Sequence, residues 1–109
     1  MATTYKVLGQ ANPAATTATT LYTVPSATSA VVSTIVICNQ TAAAATFRIS
    51  VRPAGAAQTA AMYVAYDVTV GASDSTALTL GITLAATDVI TVYGSTATLS
   101  FAAFGSEIA

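Results

Sequence analysis

The sequence contains no histidine, no tryptophan and a single cysteine among its 109 residues. Without histidine, the commonest general base of enzymes is missing, and so are the mixed Cys/His sets that bind zinc. One cysteine excludes an intramolecular disulfide framework. Cys38 lies in an apolar run, which favours a small buried side chain over a reactive thiol. The four carboxylates are scattered along the chain, so we predict neither enzyme activity nor a bound metal or cofactor.

Charged residues are also scarce. Three basic and four acidic side chains make up 6% of the chain, whereas about 25% is usual for a soluble domain. Either the surface is solvated mainly by hydroxyl groups, or a good part of it is buried against other subunits or a partner. We favour the second interpretation because the cores of protein interfaces are depleted of charge. The net charge of −1 provides no field that would attract nucleic acid or an anionic membrane, so neither partner is expected.

The N-terminus lacks the basic and apolar regions of a signal peptide. No apolar run approaches the roughly 18 residues that a membrane-spanning helix needs. The sequence therefore predicts a protein that is made in the cytoplasm and is not exported.

Alternating apolar and polar segments separated by turn signals run through the whole chain. We count about eight strands at roughly ten-residue spacing and no helix, a pattern typical of an antiparallel β-sandwich, either jelly-roll-like or immunoglobulin-like. Residues 1–109 form one domain. Residues 9–19 have no periodicity and are predicted to be a loop or an extended arm.

A hairpin over residues 29–53 is predicted to lie at the centre of the sandwich. Its first strand is apolar on both faces, with Val31, Ile35 and Ile37 on one side and Val32, Val36 and Cys38 on the other. Such a strand must be covered on both faces. We expect a second sheet to cover one face and a neighbouring chain to cover the other.

Arg48 and Arg52 share the polar face of the second strand, with Ser50 between them. They either form a solvated face that discourages wrong strand pairing or contact another subunit or partner, as arginines in interfaces often do. Asp67 and Glu107 are the expected acceptors. These four residues are our first candidates for an interface.

Tyr63 and Tyr66 are the other candidate interface residues. Their spacing puts them on opposite faces of one strand, so at least one lies outside the core. An aromatic platform that binds sugars is a further alternative.

Asp74 and Asp88 are predicted to be turn residues whose carboxylates accept hydrogen bonds from nearby backbone amides. Asn39, Gln40 and Thr41 match the glycosylation acceptor pattern, and we interpret this match as a coincidence in a turn.

Several runs of the sequence are similar to those of a known protein family. They are residues 5–10, 21–25, 46–55, 65–67, 78–93 and 101–107. The most specific are Arg-Pro-Ala-Gly at 52–55 and Leu-Thr-Leu-Gly-Ile-Thr-Leu at 78–84. In these runs the chain resembles small virion structural proteins of tailed phages, especially phages of cyanobacteria and other aquatic bacteria. The resemblance implies a particle component located in the virion, without an enzymatic role.

Resemblance and composition together predict a capsid decoration or cement protein. Such a protein would bind the major capsid protein on the outer capsid surface as a trimer or dimer and stabilise the shell. One alternative is a tail, baseplate or fibre component. A second is a carbohydrate-binding or adhesive β-sandwich module.

Overall fold

The computed structural model describes residues 2–109 and consists of nine β-strands in two antiparallel sheets. Two three-residue 3-10 turns, Pro53–Gly55 and Ala60–Met62, are its helical elements. No helix in residues 2–109 has the length and apolar character needed to cross a bilayer. The strands are β1 (Thr3–Ala11), β2 (Thr19–Thr23), β3 (Ser29–Asn39), β4 (Ala45–Arg52), β5 (Tyr63–Val70), β6 (Ser75–Leu78), β7 (Ile82–Leu84), β8 (Val89–Gly94) and β9 (Leu99–Ile108).

The strand order identifies the topology. Sheet A has the order β1-β9-β3-β6, with β7 also paired to β3, and sheet B has the order β2-β8-β4-β5. Because β6 and β7 lie along the same edge of β3, they act as one strand interrupted at residues 79–81. The first strand then pairs with the last, the second with the second to last, and so on inward, which is the jelly-roll arrangement. The predicted antiparallel β-sandwich is confirmed, and its topology is the jelly roll.

The core lies between the sheets and is filled by alternate residues of each strand. Phe47 of sheet B and Phe101 of sheet A meet edge to face, with ring centroids 6.2 Å apart. Aliphatic side chains from both sheets surround them. The largest of these fully buried aliphatic side chains are Ile35, Ile37, Ile49, Ile90, Leu99, Val24, Val32, Val70 and Val92.

A β-bulge in β3 changes which side chains face the core. The register against β9 shifts between Val32 and Thr34, so Ser33 is an extra residue. Ala30 and Val32 are buried before the bulge, and Ile35 and Ile37 are buried after it. The prediction that Val31 shares a face with Ile35 and Ile37 is therefore wrong.

The opposite side of β3 is only partly covered by its own chain. Val31, Val36 and Cys38 are half-buried there. The prediction that Cys38 is buried is thus wrong, because its side chain points away from the core. Coverage of this face by a neighbouring chain stays a prediction.

The predicted loop or arm at residues 9–19 is shorter than expected. A bulge at Leu8 lets β1 continue past Gly9 to Ala11, and β2 begins at Thr19. The remaining segment, residues 12–18, is a largely exposed loop that is joined to the sandwich by hydrogen bonds. The Asn12 side-chain amide donates to the carbonyl oxygen of Leu99 at 2.6 Å, and the Thr16 amide donates to that of Gly94 at 2.8 Å.

The two turn carboxylates behave as predicted. Asp74 accepts a hydrogen bond from the Ser75 amide at 2.8 Å. Asp88 accepts one from the Ala85 amide and one from the Ala54 amide, each at 2.9 Å. Asp88 therefore links its own turn to the 3-10 turn that follows β4.

Candidate functional site

The outer face of sheet B carries an aromatic cluster that is built by irregular pairing of β5 with β4. Ile49 pairs with Ala65 and Phe47 pairs with Val68, so both Tyr66 and Asp67 lie opposite Arg48. Asp67 occupies the left-handed region with φ of 51°, as bulge residues often do.

A second register shift in β5 lies between Ile49 and Ser50, and Ser50 pairs with Tyr63 on the outer face. Tyr63 and Tyr66 therefore share one face, and the prediction that they lie on opposite faces is wrong. Their rings touch at a centroid distance of 4.9 Å and an angle of 81°.

Arg48 is the centre of this cluster. Its Nε donates to Oδ1 of Asp67 at 2.6 Å and its Nη2 donates to Oδ2 at 3.3 Å, which makes a bidentate ion pair. Its guanidinium carbon lies 4.2 Å from the centroid of Tyr66 and 4.4 Å from that of Tyr93. The hydrogen bond to Asp67 is the main cause that raises the pKa of Arg48 above its ordinary range. The predicted pairing of an arginine with Asp67 is confirmed for Arg48.

Arg52 has a different role from the one expected. Its Nε donates to the carbonyl oxygen of Ala56 at 2.7 Å, and its Nη2 donates to that of Gly55 at 2.9 Å. It has no carboxylate partner among residues 2–109, so the prediction that Asp67 or Glu107 serves as its acceptor is wrong. Arg52 holds the turn after β4 in place.

Glu107 joins the two sheets. Lys6 of β1 approaches its Oε1 at 3.0 Å, and the Tyr22 hydroxyl of β2 donates to Oε2 at 2.5 Å. The hydrogen bond from Tyr22, followed by that from Lys6, holds the pKa of the Glu107 carboxyl below its ordinary value, against an opposing effect of burial. Burial, together with Glu107, raises the pKa of the Tyr22 hydroxyl above its usual 10.0.

This link predicts a dependence of stability on pH. Because the pKa of Glu107 is lower in the folded protein, its contribution is fully present above the unfolded-state value of about 4.3 and is lost as the pH falls through the folded-state pKa. We expect Glu107→Gln to lower the free energy of unfolding at neutral pH and to flatten its decline in acid. Urea denaturation of both proteins between neutral and strongly acidic pH tests this, and equal acid slopes would contradict it.

The outer face of sheet A contains no charged residue within residues 2–109. The buried residues Leu99, Phe101 and Ala103 show which side of β9 faces the core. The cross-strand register then shows which residues of β1 and β3 lie on the same side of the sheet. Lys6 and Glu107 fall on the core side, and the other charged residues lie in sheet B or in turns. We call this surface the charge-free face; its members are Thr3, Tyr5, Val7, Gln10, Ser29, Val31, Ser33, Thr34, Val36, Cys38, Ser75, Ala77, Thr83, Ser100, Ala102, Phe104, Ser106 and Ile108.

Apolar side chains are prominent on the charge-free face. Tyr5 is 84% exposed, and Val7 and Phe104 are 48% and 37% exposed. Val7 and Phe104 are cross-strand partners, and both lie beside the bulges of β1 and β3. Sequence reasoning missed this face, because only the register of paired strands shows that Tyr5 and Phe104 lie on the same side.

A cleft borders the aromatic cluster of sheet B. It has a volume of about 500 Å³ and is lined by Gln58, Thr59, Ala60, Tyr63 and Tyr66. We call it the aromatic cleft. Gln58 was not a candidate from the sequence, since it lies in the connection before β5 and no motif distinguishes it.

Comparison with protein-family models and with curated proteins finds no match to this chain. Within residues 2–109, no three Cys, Asp or Glu side chains converge as metal ligands would.

Proposed function

We propose that the protein is a structural component of a phage virion, a decoration or cement protein that binds the outer capsid surface as an oligomer and stabilises the shell. The resemblance of its sequence to small virion proteins supports this proposal. The jelly roll adds support, since viral capsid domains commonly use it, although a fold alone does not decide function.

The observation that carries the proposal is the charge-free face. In a chain with so few charges, the register places no charged side chain of residues 2–109 on this side of the sandwich. Two such faces can pack together without burying a charge or opposing like charges, both of which are costly. A second copy of this chain is therefore the partner that the face fits best.

The area of the charge-free face is similar to the area that each partner buries in a stable protein–protein interface. Four strand positions about 4.8 Å apart and strands about 35 Å long give it a projected area of roughly 700 Å². A stable interface buries about 800 Å² on each partner. Packing of the face on its own copy about a two-fold axis produces a dimer. The dimer is then the unit that contacts the major capsid protein.

The first test concerns self-association. We expect light scattering at micromolar concentration to report a mass about twice that of the 10.8 kDa chain. Phe104→Lys places a charge in the middle of the face and should produce a monomer. Tyr66→Lys likewise replaces an exposed aromatic side chain with lysine, on the opposite sheet, and should leave the dimer intact. A wild-type monomer, or loss of the dimer in both variants alike, would contradict the proposed contact.

The second test concerns the particle. Electron microscopy of purified virions locates the protein, and quantitative mass spectrometry counts its copies. Copies on the order of hundreds indicate the capsid, whereas about six to a few dozen indicate a tail, baseplate or fibre component. Absence from the particle would rule out both.

A further inference from the structure

The geometry points to a second surface with a different role: we propose that the aromatic cleft binds an uncharged saccharide. Its volume of about 500 Å³ lies within the range of small-ligand sites, which is about 300–1,000 Å³. It is lined by two tyrosine rings together with Gln58, Thr59 and Ala60. This combination of aromatic surface and neutral hydrogen-bonding groups matches the two kinds of surface that a pyranose presents.

The tyrosine rings supply the apolar surface of the aromatic cleft. The face of an aromatic ring carries partial negative charge, which attracts the positively polarised C–H groups of a sugar ring. Tyr66 is 55% exposed and Tyr63 is partly exposed. The two rings are nearly perpendicular and meet edge to face, and Arg48 covers one face of Tyr66, so the cleft presents the remaining exposed surface of both rings.

The polar surface of the aromatic cleft consists of groups that have free hydrogen-bond donors or acceptors. The Tyr63, Tyr66 and Thr59 hydroxyls have no hydrogen-bond partner within the described part of the chain. The Gln58 carboxamide accepts from the Ser50 hydroxyl at 2.5 Å and donates to the Thr59 carbonyl oxygen at 2.9 Å, which leaves one N–H and one lone pair free. Both donors and acceptors are therefore available, as sugar hydroxyls require.

The charges beside the cleft favour a neutral ligand. Arg48 is a cation in contact with Tyr66, and its guanidinium already donates two hydrogen bonds to Asp67. An anionic sugar would have to compete with Asp67 for this guanidinium. An uncharged saccharide leaves the ion pair intact.

The cleft is also held in shape before any ligand binds. Arg48 stacks on Tyr66 and is itself fixed by Asp67, and the Ser50 hydroxyl fixes Gln58. Side chains that are already ordered lose little entropy on binding, which improves affinity. The aromatic cleft lies on sheet B, whereas the charge-free face lies on sheet A, so self-association through that face leaves the cleft open. This inference does not rest on the proposed function.

Saturation-transfer NMR on the full chain tests the proposal with defined probes. The neutral probes are cellohexaose, maltohexaose, hexa-N-acetylchitohexaose and mannohexaose, and the anionic probe is 3′-sialyllactose. We expect transfer to at least one neutral oligosaccharide and weaker transfer to the anionic one. Tyr66→Ala and Tyr63→Ala should each weaken the binding about tenfold or more. Tyr66→Phe, which keeps the ring, should retain most of it.

Tyr5→Ala is the matched control, because it removes an exposed tyrosine from the other sheet and should leave binding within about twofold. Circular dichroism and thermal melting confirm that each variant is folded. The proposal is overturned if no neutral probe receives transfer, if the anionic probe is preferred, or if Tyr5→Ala weakens binding as much as Tyr66→Ala. Each of these results leaves the tests of self-association and of particle location unaffected.

Discussion

Gly105→Ala is expected to lower the free energy of unfolding by about 3 kcal/mol or more. A Cβ atom built on Gly105 would lie 2.0 Å from the carbonyl oxygen of Val31 and 3.0 Å from the Cα of Val32. Both atoms belong to the backbone of β3, next to its bulge, so no side-chain rotation can relieve the clash. The two central strands of sheet A would have to separate, which breaks the hydrogen bonds between them.

Gly71→Ala is the matched control for this prediction. The atoms nearest to a Cβ at Gly71 belong to the Asp74 side chain, at 3.7 and 3.8 Å, which is ordinary van der Waals contact. We expect a change within about 0.5 kcal/mol. Urea denaturation of the two variants measures the difference, and similar stabilities would show that β3 and β9 are not packed as described.

Asn39→Asp is expected to destabilise the fold by about 3 kcal/mol at neutral pH. The Asn39 side chain is 2% exposed. Its Nδ2 donates to the carbonyl oxygens of Ala43 at 2.8 Å and Gly71 at 3.1 Å, which joins the β3–β4 turn to the end of β5. Aspartate has the same shape but places an oxygen where this donor was. The result is a buried carboxylate that faces carbonyl oxygens.

The pH dependence of this variant separates loss of the donor from a general packing defect. The surroundings favour the protonated carboxyl, so its folded-state pKa should be raised above the usual value of about 3.9. A raised pKa means that the stability of the variant relative to wild type is highest below the unfolded-state value of about 3.9 and declines as the pH rises through the folded-state pKa. Asn12→Asp is the control, since Asn12 makes similar bonds to Ala97 and Leu99 but is exposed. Equal losses in the two variants would contradict the role of burial.

The burial of Asn39 also bears on the glycosylation acceptor pattern that begins there. A side chain enclosed by three backbone groups is not accessible to a modifying enzyme in the folded protein. Asn39 is the last residue of β3, so only Gln40 and Thr41 of the pattern lie in the connection that was predicted to be a turn. The amide of Asn39 stabilises the turn from inside.

Local features of the sequence determined the class of fold and much of its outline. Alternating β-branched residues and regular turn signals predicted an antiparallel sandwich. Eight predicted strands correspond to nine observed ones because the strand over residues 76–83 is interrupted at residues 79–81. The roles of Asp74 and Asp88 were also predictable, because a turn carboxylate bonds to amides a few residues away. Asp67 was one of two acceptors expected for Arg48 and Arg52, and the structure pairs it with Arg48.

Tertiary structure alone decided which side chains share a surface. Ser33 in β3 and the two register shifts in β5 each change the phase of a strand, and an extra residue of this kind depends on the pairing with a partner strand far away in the sequence. A prediction based on strict alternation therefore placed Tyr63 and Tyr66 on opposite faces and Val31 on the same face as Ile35. Both assignments are wrong. The jelly-roll order, the aromatic cleft and the charge-free face all arise from this long-range register, which the alternation within single strands does not contain.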